Sequence, residues 1–210
     1  LKGDQRELIA ESRLHFEREI SVLVARSNKG EIHCFPVVEN VHEAGILASS
    51  LVPARISVDL NRKARLIATQ IAQGLQLHGM LAIEMFVMPD GQLLVNELAP
   101  RPHNSGHYTQ DGTNVCQFEQ HLRAICGWPL REPKLHSPTV MLNLLGEHIP
   151  ALQAWYVGLP AEAHLHWYGK AEARPGRKMA HINLCAASLD EALEELEKWH
   201  FRSPPKRIYT

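Results

Sequence analysis

The run Val95-Asn96-Glu97-Leu98-Ala99-Pro100-Arg101-Pro102-His103-Asn104-Ser105-Gly106-His107 constrains this chain more than any other segment. A carboxylate at a strand end is followed at once by a loop carrying arginine, histidine, asparagine and serine, broken by proline and glycine. Such a loop costs order and solvation without adding to a core, so its composition points to the gripping of an anionic, hydrogen-bonding ligand. Upstream, Met80-Leu81-Ala82-Ile83-Glu84-Met85-Phe86-Val87 reads as a mostly apolar strand with a single acid. Pro89-Asp90-Gly91 supplies the turn into Gln92-Leu93-Leu94-Val95, and the two strands form a hairpin.

With Asp90 and Gly91 as the two loop residues, the numbers of cross-strand partners add to a constant, which sets Glu84 directly opposite Glu97. Directly opposed side chains have β-carbons roughly 4.5 to 5.5 Å apart, where like charges destabilise a sheet unless something positive lies between them. Hard oxygen ligands on adjacent strands suit magnesium, which keeps several waters and shares one or two carboxylates with substrate phosphates. The alternatives are a solvated acid pair on an exposed face, or a loop of odd length that puts the pair out of register. The polar loop after Glu97 favours the metal.

The length of 210 residues fits one large or two small globular domains. Lysine and arginine number 22 against 23 acids, so no broad positive field invites nucleic acid or a membrane surface, and phosphate binding has to come from local clusters. Cys34, Cys116, Cys126 and Cys185 are widely spaced with no Cys-x-x-Cys pair, a pattern that suits a reducing cytosol better than a disulfide frame or a zinc site. No apolar run approaches a membrane span and no signal segment is visible, so a cytoplasmic location is expected.

Along the chain, residues 20–26 and 31–38 are strand-like, joined by the turn Ser27-Asn28-Lys29-Gly30. Leu60, Ala64, Ile67, Ala68, Ile71 and Leu75 recur at helical spacing, with Asp59 as N-cap and Gly79 closing the connection to the Glu84 strand. A second helix is predicted over 115–125, its apolar face being Phe118, Leu122 and Ile125, and it stops at Gly127-Trp128-Pro129. After a proline-rich linker over 131–138, residues 139–145 read as a buried strand. Residues 164–170 and 178–186 read as strands around the turn Arg174-Pro175-Gly176-Arg177. Ser188-Leu189-Asp190-Glu191 is a capping box opening a final amphipathic helix to about Trp199. There are no internal repeats and no low-complexity tract.

The segment from Asn96-Glu97 through Pro100-Arg101-Pro102-His103-Asn104-Ser105-Gly106-His107, then Gln117-Phe118-Glu119-Gln120-His121-Leu122-Arg123-Ala124, closely resembles the N5-carboxyaminoimidazole ribonucleotide synthases, ATP-grasp ligases of purine biosynthesis. Further matches run in the same order: Glu17-Arg18-Glu19-Ile20-Ser21-Val22 with Arg26, Phe35-Pro36 with Glu39-Asn40-Val41-His42, Asn143-Leu144-Leu145-Gly146, and Tyr168-Gly169-Lys170 with Arg177-Lys178-Met179. The resemblance spans nearly the whole chain. It implies an α+β architecture: a partial ATP-grasp fold over 1–132, lacking the N-terminal α/β domain and most of the lid, then a small β-rich C-terminal domain with a terminal helix over 133–210. The start at Leu1-Lys2-Gly3-Asp4, with a strand-like run over Glu7–Glu11, fits the expectation of a C-terminal portion of a longer polypeptide, inactive alone.

The resemblance also implies a chemistry: ATP-dependent carboxylation of 5-aminoimidazole ribonucleotide with bicarbonate by way of carboxyphosphate, with Mg2+ and ATP bound and a homodimer as the assembly. By this likeness Glu84 and Glu97 are the metal-binding acids and Asn96 a nucleotide contact. Glu11-Ser12-Arg13-Leu14 matches the hinge on which adenine lies, and Glu19 and His42 match further nucleotide contacts, Glu19 toward the ribose hydroxyls. Arg101, His103 and Asn104 match the loop facing bicarbonate, carboxyphosphate and the amine. There a planar guanidinium grips an oxyanion through two parallel hydrogen bonds, His103 donates a hydrogen bond or shuttles a proton, and Asn104 orients it. Lys170 and Arg177 match a basic pair for the ribonucleotide 5'-phosphate, while His107 and His121 read as structural. Two positions depart from the family pattern, Ala180 standing for glycine and Cys116 for serine. Competing readings are another ATP-grasp enzyme, such as a biotin-carboxylase relative or a formate-using purine transformylase, and a non-catalytic domain that dimerises or binds nucleotide weakly.

Overall fold

The computed structural model describes residue 9 and residues 12–199. The expected strand over Glu7–Glu11 therefore falls, apart from Ile9, outside the described residues, as does the nucleotide contact expected at Glu11.

Among the described residues one antiparallel sheet of nine strands organises the chain. These are β1 (Arg18–Arg26), β2 (Ile32–Cys34), β3 (Val38–Glu43), β4 (Ile46–Val52), β5 (Gly79–Val87), β6 (Leu93–Ala99), β7 (Thr139–Leu145), β8 (Ala163–Trp167) and β9 (Lys178–Cys185). Their spatial order is β6-β5-β1-β3-β4-β7-β9-β8, with β2 pairing on β1. The link between the earlier and later strands is the β4–β7 pairing, Ser49 opposite Leu142 through Val52 opposite Thr139. The sheet is thus continuous across the proline-rich linker.

The strand predicted over 31–38 is split. Phe35 N–H still donates to Leu23 O at 2.8 Å, but Pro36 has no N–H to continue the ladder, and β3 restarts beyond it against a different stretch of β1. The β3–β4 hairpin has no counterpart in the sequence reading. Its turn is Ala44-Gly45, both with positive φ (49° and 76°), the conformation that Asn-Gly or Asp-Gly pairs usually advertise. An alanine there hides the signal.

Among the described residues there are five α-helices, in chain order α1 (Val58–Gly74), α2 (Thr109–Gly112), α3 (Gln117–Ile125), α4 (Ile149–Trp155) and α5 (Leu189–Glu197). Helix α1 is capped by Ser57, whose Oγ accepts from Leu60 N–H at 3.2 Å, and not by Asp59, which lies in the first turn and pairs with Arg62. Ala64, Ala68 and Ala72 bring α1 close to the sheet face formed by Ile20, Val22, Val24, Leu81, Ile83 and Met85. Helix α4 was not anticipated. Helix α5 is capped by Ser188 as expected, and Glu191 reaches back to Ala187 N–H at 3.1 Å.

Helix α3 corrects the predicted burial pattern. Its buried residues are Gln117, Gln120 and Ala124, while Phe118, Leu122 and Ile125 are 39%, 53% and 49% exposed. The reason is hydrogen bonding: Gln117 holds both backbone groups of His103 at 2.8 Å, and Gln120 holds both backbone groups of Arg131 at 2.7 and 3.2 Å. A buried amide with all its partners is tolerated, so α3 turns its polar face inward to clamp two loops. Cys116 serves as its N-cap through a 3.4 Å contact from Glu119 N–H to Sγ, which explains why cysteine can stand in for serine.

Candidate active site

Glu84 does lie opposite Glu97, but through two departures that cancel. Near the turn the pairs are Val87 with Leu93, Phe86 with Leu94 and Met85 with Val95, a register that a three-residue loop of Pro89, Asp90 and Gly91 produces. Gly91 N–H donates to Met88 O at 2.8 Å and Gly91 takes φ 77°, the form of a type I turn closed by a left-handed glycine. The register then shifts between Met85 and Glu84, with Asn96 as the extra residue of a bulge, and this restores the acid pair.

The sheet face carrying this pair is polar along its length. Ser21 lies opposite Glu84, Asn40 opposite Glu19 and Ser50, Asn143 opposite His181, and His181 opposite His166. The loop after β6 covers part of this face and leaves a cleft of about 530 Å³ lined by His42, Glu84, Glu97, His103, Asn104, Lys170 and Lys178 with backbone of Gly45 and Gly176 nearby. A second cavity of about 640 Å³ is lined by Ser12, Arg13, Leu14, Phe16, Phe86, Val95 and Asn96, and Phe16 stacks on Phe86 with ring centroids 4.3 Å apart. Three hinge residues and Asn96 are thus together, against an aromatic wall that suits a planar base. Glu19 and His42 form an ion pair, and hydrogen bonding to Glu19 raises the His42 pKa. A larger hollow of about 780 Å³ elsewhere is lined by Glu162, Glu191, Glu194 and Glu195 with Lys198 and His164, and none of the expected site residues is in it.

Within the cleft, burial raises the Glu84 pKa, His42 opposes that rise, and Glu97 and Glu19 add to it. Two carboxylates held face to face, one of them half-buried, form a hard-oxygen pair whose repulsion a divalent cation would relieve. Among the described residues no cluster of three or more acidic, histidine or cysteine side chains forms a closed metal cage, so a cation here would complete its shell with water and phosphate.

His103 sits 3.6 Å from Glu84 through Nε2, while its Nδ1 meets Ser105 Oγ at 2.9 Å. Burial, then Arg101 and Lys178, hold its pKa down to about 4. Asn104 does not orient His103, contrary to the reading by resemblance. It exchanges hydrogen bonds with Asn143 and accepts from Lys178 Nζ at 2.9 Å, because the loop turns through a short 3-10 helix at Asn104–Gly106 and directs it toward β7 and β9. Ser105 and Gln117 take the positioning role instead.

Lys170 lines the cleft, its Nζ donating to Lys178 O at 2.5 Å and lying 5.3 Å from the Tyr168 ring centroid. Arg177 is exposed, donating to Glu172 O at 3.2 Å, and Arg101 is exposed next to the loop that lines the cleft, donating to Pro102 O at 3.2 Å. Neither guanidinium lines the cleft, although the Arg101 charge acts on His103 and Lys178 there. Lys178 was missed as a site residue; burial lowers its pKa while nearby Glu84 raises it, and its quoted place beside Arg177 was the available signal. Neither His107 nor His121 lines the cleft: His121 Nδ1 accepts from Met80 N–H at 3.1 Å, and His107 stacks on His181, which stacks on His166.

Comparison with known proteins is specific. Residues 1–118 match the ATP-grasp domain and residues 139–195 the phosphoribosylaminoimidazole carboxylase C-terminal domain. The chain is 49% identical over 192 residues to N5-carboxyaminoimidazole ribonucleotide synthase of Bacillus subtilis, covering 91% of this chain and 50% of that protein. It is 40% identical over 200 residues to the Escherichia coli protein of the same name, covering 95% and 55%. An ADP complex of N5-carboxyaminoimidazole ribonucleotide synthetase superposes with a TM-score of 0.88 at 49% identity, over 90% of this chain and 50% of that one. The Aspergillus clavatus synthase in complex with ADP and 5-aminoimidazole ribonucleotide gives 0.81 at 35% identity, over 87% and 50%. The chain spans about half the length of the curated relatives it matches and corresponds to their C-terminal part. With more than half of its residues inside the first of these matches, the chain belongs to the ATP-grasp family, and within that family it is similar to the C-terminal part of the N5-carboxyaminoimidazole ribonucleotide synthases.

Proposed function

We propose that the complete polypeptide containing this chain uses ATP to carboxylate 5-aminoimidazole ribonucleotide with bicarbonate, forming N5-carboxyaminoimidazole ribonucleotide, ADP and phosphate. The observation that carries this reading is a single cleft holding an opposed acid pair, Glu84 and Glu97, together with Lys170, Lys178, His103 and Asn104. Every reactant is anionic, and such a site has to neutralise several phosphates and a carbonate at once.

In this reading Ser12, Arg13, Leu14 and Asn96 receive the adenine side of ATP, with Glu19 and His42 toward the ribose and Glu11 completing the hinge. Glu84 and Glu97 would hold magnesium, which supplies charge neutralisation at the transferring phosphate. A bicarbonate oxygen attacks the γ-phosphorus and ADP leaves; the amine nitrogen of the ribonucleotide then attacks the carboxyl carbon, phosphate leaves and the amine loses a proton. Arg101, His103 and Asn104 line the path of the carboxyl group, Lys178 places Asn104, and Lys170 and Arg177 bind the 5'-phosphate. The division of labour between residues 1–132 and 133–210 follows: nucleotide and acids in the first part, ribonucleotide phosphate in the second. For assembly we propose a homodimer, supported by the exposed apolar side chains Phe118, Leu122, Ile125 and Trp128. For location we propose the cytoplasm; among the described residues no helix is long and apolar enough to cross a membrane.

The test is ADP release by the full-length polypeptide. Release is expected to require ribonucleotide and bicarbonate together. Release that continues undiminished when the ribonucleotide is withheld would overturn the assignment.

A further inference from the structure

The polar face of the sheet contains a continuous run of buried hydrogen bonds that ends on the His103 ring. Ser50 Oγ donates to Asn40 Oδ1 at 2.9 Å, Asn40 Nδ2 donates to Ser21 Oγ at 3.0 Å, and Ser21 Oγ donates to Ser105 Oγ at 2.9 Å. Ser105 Oγ meets His103 Nδ1 at 2.9 Å. Ser21, Ser50 and Ser105 are fully buried and Asn40 nearly so, and they come from β1, β3, β4 and the loop after β6.

A serine hydroxyl has one proton to give. Once Ser21 donates to Ser105, the Ser105 proton is left for His103 Nδ1, so that nitrogen accepts and the ring proton resides on Nε2. Turning the Asn40 amide over would reverse every bond in the series and place the ring proton on Nδ1. Two contacts outside the series choose between these states. Ser105 N–H points at His103 Nδ1 at 3.4 Å, which requires an accepting nitrogen, and the Glu84 carboxylate lies 3.6 Å from Nε2, which favours a proton there.

We infer that Ser50, Asn40, Ser21 and Ser105 are positioning residues that fix His103 as the Nε2–H tautomer, so that it presents a hydrogen-bond donor and not a base to the cleft. This rests on the carboxylation reading only for its consequence: a donor at Nε2 suits an oxyanion such as carbonate, whereas the opposite tautomer would turn a lone pair toward it. The tautomer itself is set by the buried series and by Ser105 N–H, and it is read on the protein without substrates. Gly106, next in the loop, shows how tightly the arrangement is seated, since a Cβ there would meet Leu23 Cδ2 at 2.2 Å and Gln117 Oε1 at 2.5 Å.

The experiment is nitrogen-15 NMR of histidine-labelled full-length polypeptide at pH 8 without substrates, with the His103 signals assigned by comparison with His103→Asn. The expected spectrum has a protonated Nε2 and a bare Nδ1. Ser105→Ala is expected to mix the two tautomers and to lower kcat about tenfold, the size of one lost neutral hydrogen bond, with the ATP Michaelis constant changing less than twofold. Ser50→Ala, four hydrogen bonds from the ring, is expected to shift the same signals in the same direction, and it keeps the test available where Ser105→Ala does not fold. A wild-type His103 protonated on Nδ1, or Ser50→Ala signals identical to wild type, would overturn the inference. Absence of carboxylation with a wild-type Nε2–H signal would overturn the functional reading and leave the tautomer assignment standing.

Discussion

The two ends of the cleft are built from one sheet but work in opposite ways. At one end, β5 and β6 bring two acids face to face, and the strain of like charges is the feature that makes a cation welcome. At the other, β9 and the segment before it supply Lys170, Arg177 and Lys178 around backbone carbonyls that already take part of their charge: Lys170 on Lys178 O and Arg177 on Glu172 O. The protein gives Glu84 a loose contact, His103 Nε2 at 3.6 Å, whereas Lys170 and Arg177 donate to carbonyls and are held in place. The first end depends on its ligand for balance; the second offers a site whose geometry exists without one.

The sharpest way to break this comparison is to neutralise the acid end. In the full-length polypeptide, Glu84→Gln or Glu97→Gln is expected to lower kcat by at least about a hundredfold, the scale of losing a main electrostatic element of phosphoryl transfer, and to leave the fold intact. The nucleotide-free thermal midpoint is expected to rise slightly as the repulsion disappears, by an effect of about 1 kcal/mol or less. Wild-type turnover by either variant at ordinary magnesium would refute the cross-strand site.

Removing charge at the basic end has a smaller and more selective effect. Lys170→Ala is expected to raise the Michaelis constant for the ribonucleotide more than about tenfold, the value of one charge-assisted contact, and to move the ATP constant less than twofold. Arg177→Ala is expected to give a weaker shift of the same kind, because Arg177 is exposed and does not line the cleft. Titration with both substrates decides the matter: a change confined to ATP would place the basic pair on the nucleotide.

A third test uses protons. His103 and His107 are held down to about 4 and His181 to about 2, in each case chiefly by burial. The folded chain therefore binds fewer protons than the unfolded chain below the ordinary histidine value of 6.5. Their contribution to stability is complete above pH 6.5 and is lost as pH falls toward 4 for His103 and His107 and toward 2 for His181. A thermal midpoint falling steeply between pH 6 and 4 is expected, with a shallower fall in His181→Phe. A midpoint independent of pH over that range would contradict neutral burial of the stacked rings. The smallest effect is expected from Cys116→Ser, which replaces a weak acceptor at the α3 N-cap by a better one: a gain of about 0.5 to 1 kcal/mol in unfolding experiments, with both Michaelis constants unchanged.

What could be read from residues alone followed the strength of the local signal. Alternating and apolar runs gave β1, β5, β6, β7 and β9, and the α5 cap was written in Ser188 and Glu191. Periodicity misjudged α3 because its buried face is made of glutamines whose value lies in distant backbone groups, Gln117 with His103 and Gln120 with Arg131. The β3–β4 hairpin was invisible because Ala44 adopts a conformation that its side chain does not announce. Lys178 and the Ser105 contact to His103 were missed for a related reason: both depend on where the loop after β6 lands on the far strands, and no spacing along the chain encodes that.

The turn residues and Asn96 of the β5–β6 hairpin lie outside its paired positions, Met88 meeting Gln92 at the tip and Met85 with Val95 and Glu84 with Glu97 flanking the bulge. Losing Asn96 would close the bulge with Glu97 directly after Val95, and losing a turn residue would shorten the tip; in both cases Glu84 would still face Glu97. A residue lost between Glu84 and Met88 would instead slide the strands and part the acids, so this hairpin absorbs changes of length at its tip and its bulge and nowhere between them.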